Sequence, residues 1–137
     1  TGITTIGGDY DFNAGLLEIE IAGAGGVPGV DLDFVDVLGD ADLDGTLRAL
    51  LIDPFQPVQG TTFDVLTAAD ITLGGTFALD STSTGGQWVY SIVGGGNGEI
   101  LRLMAVVPEP AAVLVWSLLA GLGIGLGWRR RNRGVRK

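Results

Sequence analysis

Eighteen consecutive uncharged residues, Ala111 to Trp128, separate an acidic stretch from the basic run RRRNRGVRK at the carboxyl end. At about 1.5 Å per residue they make a helix of roughly 27 Å, close to the hydrocarbon thickness of a bilayer. Ser117 is the only polar side chain in the run, and Trp128 stands at its interface end. Arg129, Arg130, Arg131 and Arg133 follow at once, with Arg136 and Lys137 behind them. The spacing predicts a single transmembrane helix over 111–128 with a stop-transfer tail over 129–137. A buried core helix is the alternative, but Gly121, Gly123, Gly125 and Gly127 would weaken it in water, and core helices seldom end in a basic cluster. Gly121 and Gly125, four positions apart, flatten one helix face and suit close approach by a second helix, from another copy or from an enzyme.

Charge divides the chain at the same border. Residues 1–110 hold all sixteen acids against Arg48 and Arg102, net −14, whereas residues 111–137 hold six bases and no acid, net +6. Basic residues beside a spanning segment stay cytoplasmic, so the acidic part is expected outside the inner membrane. That orientation requires an export signal, and TGITTIGGDY has neither a basic nor an apolar targeting region, so the signal is expected upstream in a longer protein. An acidic body repels phosphates, which argues against nucleic-acid binding. With no cysteine and no histidine, disulfides, zinc-thiolate sites, thiol nucleophiles and Ser-His-Asp arrangements are excluded. The expectation is a chain that is not an enzyme and carries no cofactor, calcium being the one candidate.

At the border itself, Pro108 and Pro110 fix their own φ angles, disfavour helical geometry at Val107 and Glu109, and remove two backbone donors. Pro110 suits the first turn of the following helix, and Glu109 places a negative charge at its positive end. A hinge and a protease recognition site would both use such an extended, acidic segment.

The order Val107-Pro108-Glu109-Pro110, then a spanning run, then a terminal arginine cluster resembles the PEP-CTERM sorting signal of exported bacterial proteins, also called the ice-binding protein C-terminal domain. The resemblance covers residues 107 to about 133. It implies that an exosortase, a membrane-embedded cysteine transpeptidase, recognises Pro108, Glu109 and Pro110 and cuts nearby. The amino-terminal part would then pass from the inner membrane to the cell surface or an exopolysaccharide matrix. The partners implied are exosortase, the lipid bilayer and exopolysaccharide.

Before residue 107 the pattern is β. LEIEI puts Leu17, Ile19 and Ile21 on one face and Glu18 and Glu20 on the other, a half-buried strand. Similar runs follow in DLDFVDV, TLRALLI, TTFDVL, DITLGGTFAL, QWVYSIV and EILRLMAV, separated by Gly, Pro, Asn and Asp turns. Asp36-Val37-Leu38 recurs as Asp64-Val65-Leu66, and Leu43-Asp44-Gly45-Thr46-Leu47 as Leu73-Gly74-Gly75-Thr76-Phe77, offsets of 28 and 30. Units of that length predict a mainly β body over 1–106, a short parallel β-solenoid end, with a small antiparallel β-sandwich as the alternative. Residues 10–80 also resemble, more loosely, the ends of bacterial β-helical passenger proteins. That resemblance implies the last coils and cap of a longer surface protein.

Within the body, GDADLDG is the most suggestive motif. Asp40, Asp42, Asp44 and Gly45 match positions one, three, five and six of a calcium loop. The twelfth position falls on Leu51 where an acid is needed, and outward aspartates on a strand edge that oppose aggregation give the other account. Trp88 and Tyr90 share a strand face and suit either sugar stacking or core packing. STST at 81–84 is too short for a regular threonine ladder. GAGG and VGGGNG lack the following helix of a phosphate loop and read as turns. An acid-base enzyme would have to use pairs such as Asp31 with Asp33 or Glu18 with Glu20, strand neighbours for which the sequence indicates no pocket.

Overall fold

The computed structural model describes residues 1–80, 87–96 and 98–106. Thr1–Val107 forms a compact unit, and Pro108–Lys137 is assigned to a second. The first unit is mainly β. Its strands are β1 Ile3–Ile6, β2 Tyr10–Phe12, β3 Leu16–Ile21, β4 Phe34–Val37, β5 Ala41–Leu43, β6 Thr46–Leu51, β7 Thr62–Ala68, β8 Ile71–Leu73, β9 Ala78–Asp80, β10 Gln87–Gly95 and β11 Gly98–Val106. There is no helix among the described residues.

Every third strand returns to the same sheet. The sheet orders are β1-β4-β7-β11-β10, β2-β5-β8 and β3-β6-β9. Among themselves the first nine strands pair in parallel, with partners 30 to 32 positions apart: Ile3 with Phe34, Leu16 with Thr46, Thr46 with Ala78. The chain therefore makes three successive turns of three strands each. The stack is not a closed solenoid, because β11 adds to β7 in the antiparallel sense and β10 to β11, ending the parallel series in a hairpin.

Alternation explains the core. Ala41 and Leu43 in β5, Leu47 and Ala49 in β6, and Ile19 and Ile21 in β3 are buried, while the residues between them face outward. β7 breaks the pattern: Val65 and Leu66 are consecutive and both buried. The register against β11 shifts at this point, with Leu101 opposite Leu66 but Arg102 opposite Asp64. The additional residue of a β-bulge restores the inward phase, so both sides of the break face the core.

The tripeptide repeat at offset 28 does not describe the stacking. Asp36 lies beside Thr67 rather than Asp64, and Thr67 Oγ1 donates a hydrogen bond to Asp36 Oδ1 at 3.0 Å. This register replaces a juxtaposition of two carboxylates with a donor-acceptor pair. The repeat at offset 30 matches the stacking at its start, where Leu43 pairs with Leu73, but not at Thr46, which pairs with Ala78 rather than Thr76.

Close packing between turns demands glycine at particular corners. A Cβ on Gly39 would stand 2.8 Å from the backbone nitrogen of Asp9, whereas one on Gly75 would meet nothing within 4 Å. Gly39→Ala is therefore expected to cost about 1–3 kcal/mol through overpacking. Gly75→Ala should stay within about 0.5 kcal/mol of wild type. Urea denaturation of the two variants checks the contrast.

Candidate functional site

The strand leading toward the carboxyl-terminal segment is held on both flanks. β11 lies between β7 and β10 and pairs with both along most of its length. Leu101, Leu103 and Ala105 point inward and are at most 2% exposed. On the outer face the Arg102 guanidinium meets the Asp64 carboxylate through Nε at 2.5 Å and Nη2 at 3.0 Å, which raises the arginine pKa further. Glu99 Oε2 accepts from the Ile71 backbone at 2.8 Å. At the far end, the Ala105 N–H donates to Thr61 O at 2.9 Å and Ala105 O accepts from the Gly60 N–H at 2.8 Å. Val106 is still in register with Gln87. The sorting residues Val107, Pro108, Glu109 and Pro110, the run 111–128 with Gly121 and Gly125, and Arg129, Arg130, Arg131 and Arg133 lie outside the described residues. Among the described residues no helix is long and apolar enough to cross a membrane.

The candidate calcium residues lie in or beside a different strand, β5; Asp40 and Asp42 line one concavity, and Asp44 is not part of its lining. Residues 41–43 extend as β5, so Asp42 projects outward between the buried Ala41 and Leu43 instead of curling into a loop. The Asp40 N–H donates to Asp9 Oδ1 at 3.0 Å. The Asp44 carboxylate is occupied by Thr76 one turn later, accepting from its N–H at 2.6 Å and its hydroxyl at 2.8 Å. Among the described residues no group of three or more acidic side chains is placed to hold a metal ion.

The bonds from Thr76, its backbone N–H first and its hydroxyl second, hold the Asp44 carboxyl below the usual carboxylate range. A depressed folded-state pKa means that, between the two pKa values, the unfolded chain binds more protons, so stability rises with pH there. The contribution is present above the ordinary carboxylate pKa and lost as pH falls through the depressed one. Asp44→Asn should therefore be less stable than wild type at neutral pH, and the gap in Tm should close on acidification. Thermal unfolding of both proteins from pH 7 down to the acid limit measures this.

Sequence reasoning saw one acidic rung where the structure has three. Gly8-Asp9-Tyr10-Asp11-Phe12, Gly39-Asp40-Ala41-Asp42-Leu43 and Ala69-Asp70-Ile71-Thr72-Leu73 stack through β2, β5 and β8. Their outward residues line a shallow concavity of about 300 Å³ that includes Asp9, Asp11, Asp40, Asp42, Asp70 and Thr72. The recurrence of Gly-Asp-x-Asp at positions 8 and 39 is the signal that could have found it.

The remaining candidates have structural partners. Asp33 accepts from the backbones of Gly2 at 2.6 Å and Glu20 at 2.9 Å, and Asp31 accepts from Val27 at 3.1 Å. Glu18 faces Arg48 at 3.7 Å, and Arg48 in turn bonds Asp80 at 2.9 Å. Glu20 lies next to Asp33 through its own backbone N–H, which donates to Asp33 Oδ2. Trp88 is 5% exposed and packs at an angle on Phe63, with ring centres 5.9 Å apart, while Tyr90 packs edge-on against Phe77 at 5.2 Å. Both aromatics are engaged in packing. Ser81 to Thr84 fall outside the described residues.

Residues 106–131 match the family described as the PEP-CTERM protein-sorting motif. A motif of this kind is recognised by an exosortase, and it implies transit through the membrane and export toward the cell surface. No curated protein and no solved structure matches the chain.

Proposed function

We propose that this protein is an exported surface or matrix component and the substrate, not the catalyst, of its processing reaction. The match at residues 106–131 carries the reading, supported by the change from net −14 to net +6 at the same border. Pro108, Glu109 and Pro110 provide the recognition element. Ala111 to Trp128 hold it at the outer face of the inner membrane, and Arg129, Arg130, Arg131 and Arg133 keep the terminus cytoplasmic.

Exosortase then breaks a peptide bond near the motif. The acyl carbon passes to water or to an amine acceptor, and the amine nitrogen takes a proton and departs with the basic tail. The β body leaves for the cell surface or an exopolysaccharide matrix. Its three parallel turns and terminal hairpin suit the end of a β-solenoid, whose apolar interior is shared from turn to turn. Separation of the cell envelope from the medium tests the assignment. In cells with exosortase the body should accumulate beyond the inner membrane, and in cells without it the body should stay in the inner-membrane fraction. Equal distribution in the two strains would refute the proposal.

A further inference from the structure

We propose that β10 is a self-association edge: a second copy of this chain adds its own β10 in the antiparallel sense, joining two five-stranded sheets into one. The proposal stands apart from the sorting reading and rests on the β body alone. β10, Gln87–Gly95, is the outermost strand of the sheet β1-β4-β7-β11-β10 and pairs with β11 on one side. Alternate peptide groups of such a strand point away from its partner and offer donors and acceptors to a further strand. Among the described residues, no backbone bond other than those to β11 joins Val89–Gly95. The side chains agree with an open flank: Val89 and Tyr90, neighbours on opposite faces, are each 43% exposed.

Charge singles out this edge. Residues 81–98, between Asp80 and Glu99, hold no acid and no base, in a part of the chain whose net charge is −14. The other strands at sheet ends are charged or short. β2 carries Asp11, β3 carries Glu18 and Glu20, and β9 carries Asp80, while β1 and β8 have four and three residues. Charge and shortness are what keep edges from pairing, and the nine residues of β10 have neither. Two acidic bodies repel wherever their carboxylates approach, so the uncharged strand is where a second copy can come within bonding distance. A foreign partner finds no charge on this strand to steer it, whereas an identical strand is neutral, equally long and rich in Val, Ile and Tyr.

A two-fold axis normal to the sheet makes the contact isologous, so it closes at the dimer. Full overlap of Gln87–Gly95 puts Ser91 on that axis, Val89 opposite Val93 and Tyr90 opposite Ile92. Apolar side chains then meet on both faces, and the exposed Ser91 of each copy faces its counterpart.

The chain has no cysteine, so single-cysteine variants of the full-length protein report one position each. Ser91→Cys, Val89→Cys, Val93→Cys and the exposed control Val58→Cys are purified in detergent, oxidised, and read by non-reducing electrophoresis and intact mass. Facing thiols meet at a high effective concentration, so Ser91→Cys should form a covalent dimer at least about tenfold faster than Val58→Cys. A mixture of Val89→Cys and Val93→Cys should give the mixed dimer about tenfold faster than either variant joins to itself. Association through any other surface, the carboxyl-terminal segment included, gives Ser91 no advantage over Val58, and that result would overturn the proposal. Val89→Cys and Val93→Cys each joining to itself as fast as Ser91→Cys would overturn it too, since only parallel strands bring every position against its own copy.

Discussion

Glu109→Ala is expected to lower the yield of released body by about tenfold to a hundredfold. A hydrogen bond to a charged group is worth about 1.5–3 kcal/mol, and a carboxylate read by a protein cleft loses that interaction when truncated. Pro110→Ala should act more weakly. It restores an N–H and frees φ, a change of about 0.4–1 kcal/mol in chain entropy, so its effect should be on the order of two- to fivefold. The ranking of Glu109 above Pro110 separates recognition from a hinge, for which the prolines matter and the carboxylate does not. Quantitative mass spectrometry of medium and membrane fractions measures both variants against wild type. Equal release by Glu109→Ala and wild type would remove the recognition role from this residue.

Phe63→Ala is expected to have the largest effect on the body. Phe63 is 0% exposed and its ring meets Phe55 at 6.2 Å and Trp88 at 5.9 Å, both in edge arrangements. Removing a buried phenylalanine ring costs about 3–5 kcal/mol, the lost transfer energy plus the cavity left behind. Native domains are stable by only about 5–15 kcal/mol, so this one change takes a large share of the total. Val58→Ala is the control: Val58 is 76% exposed, and its truncation should stay within about 0.5 kcal/mol. Urea unfolding followed by far-UV circular dichroism reads the loss of the β body, since Trp88 shares its fluorescence with Trp116 and Trp128. A Phe63→Ala midpoint within error of wild type would mean that the aromatic cluster does not hold β7 to the hairpin.

Residue pattern and structure agree where a single segment carries the whole signal. Leu17, Ile19 and Ile21 alternate with Glu18 and Glu20, and β3 buries the first set more deeply than the second. Val107 to Pro110, the uncharged run and the arginines form a linear motif, which needs no folded partner to be legible. Signals that depend on contacts between turns were harder to read. Asp40, Asp42 and Asp44 have the spacing of a calcium loop because outward positions of a short strand also recur every two residues. What distinguishes the cases is the bond from Thr76 to Asp44, 32 residues distant in sequence. β1 and β2 of the first turn were missed for a related reason: they have only four and three residues, and Gly8-Asp9 before Tyr10 reads locally as a turn. They become evident once Tyr10 to Phe12 are aligned with Ala41 to Leu43. The bulge at Val65 is likewise a property of the pairing with β11, invisible in TTFDVL alone.

The central claim is that the carboxyl-terminal segment is a removable sorting signal. Intact-mass measurement of the body recovered from cells containing exosortase tests it most directly. The account predicts a mass lacking residues 111–137, and the full-length mass in matched cells without the enzyme. A body that still ends at Lys137 in exosortase-containing cells would contradict it and make the segment a permanent anchor.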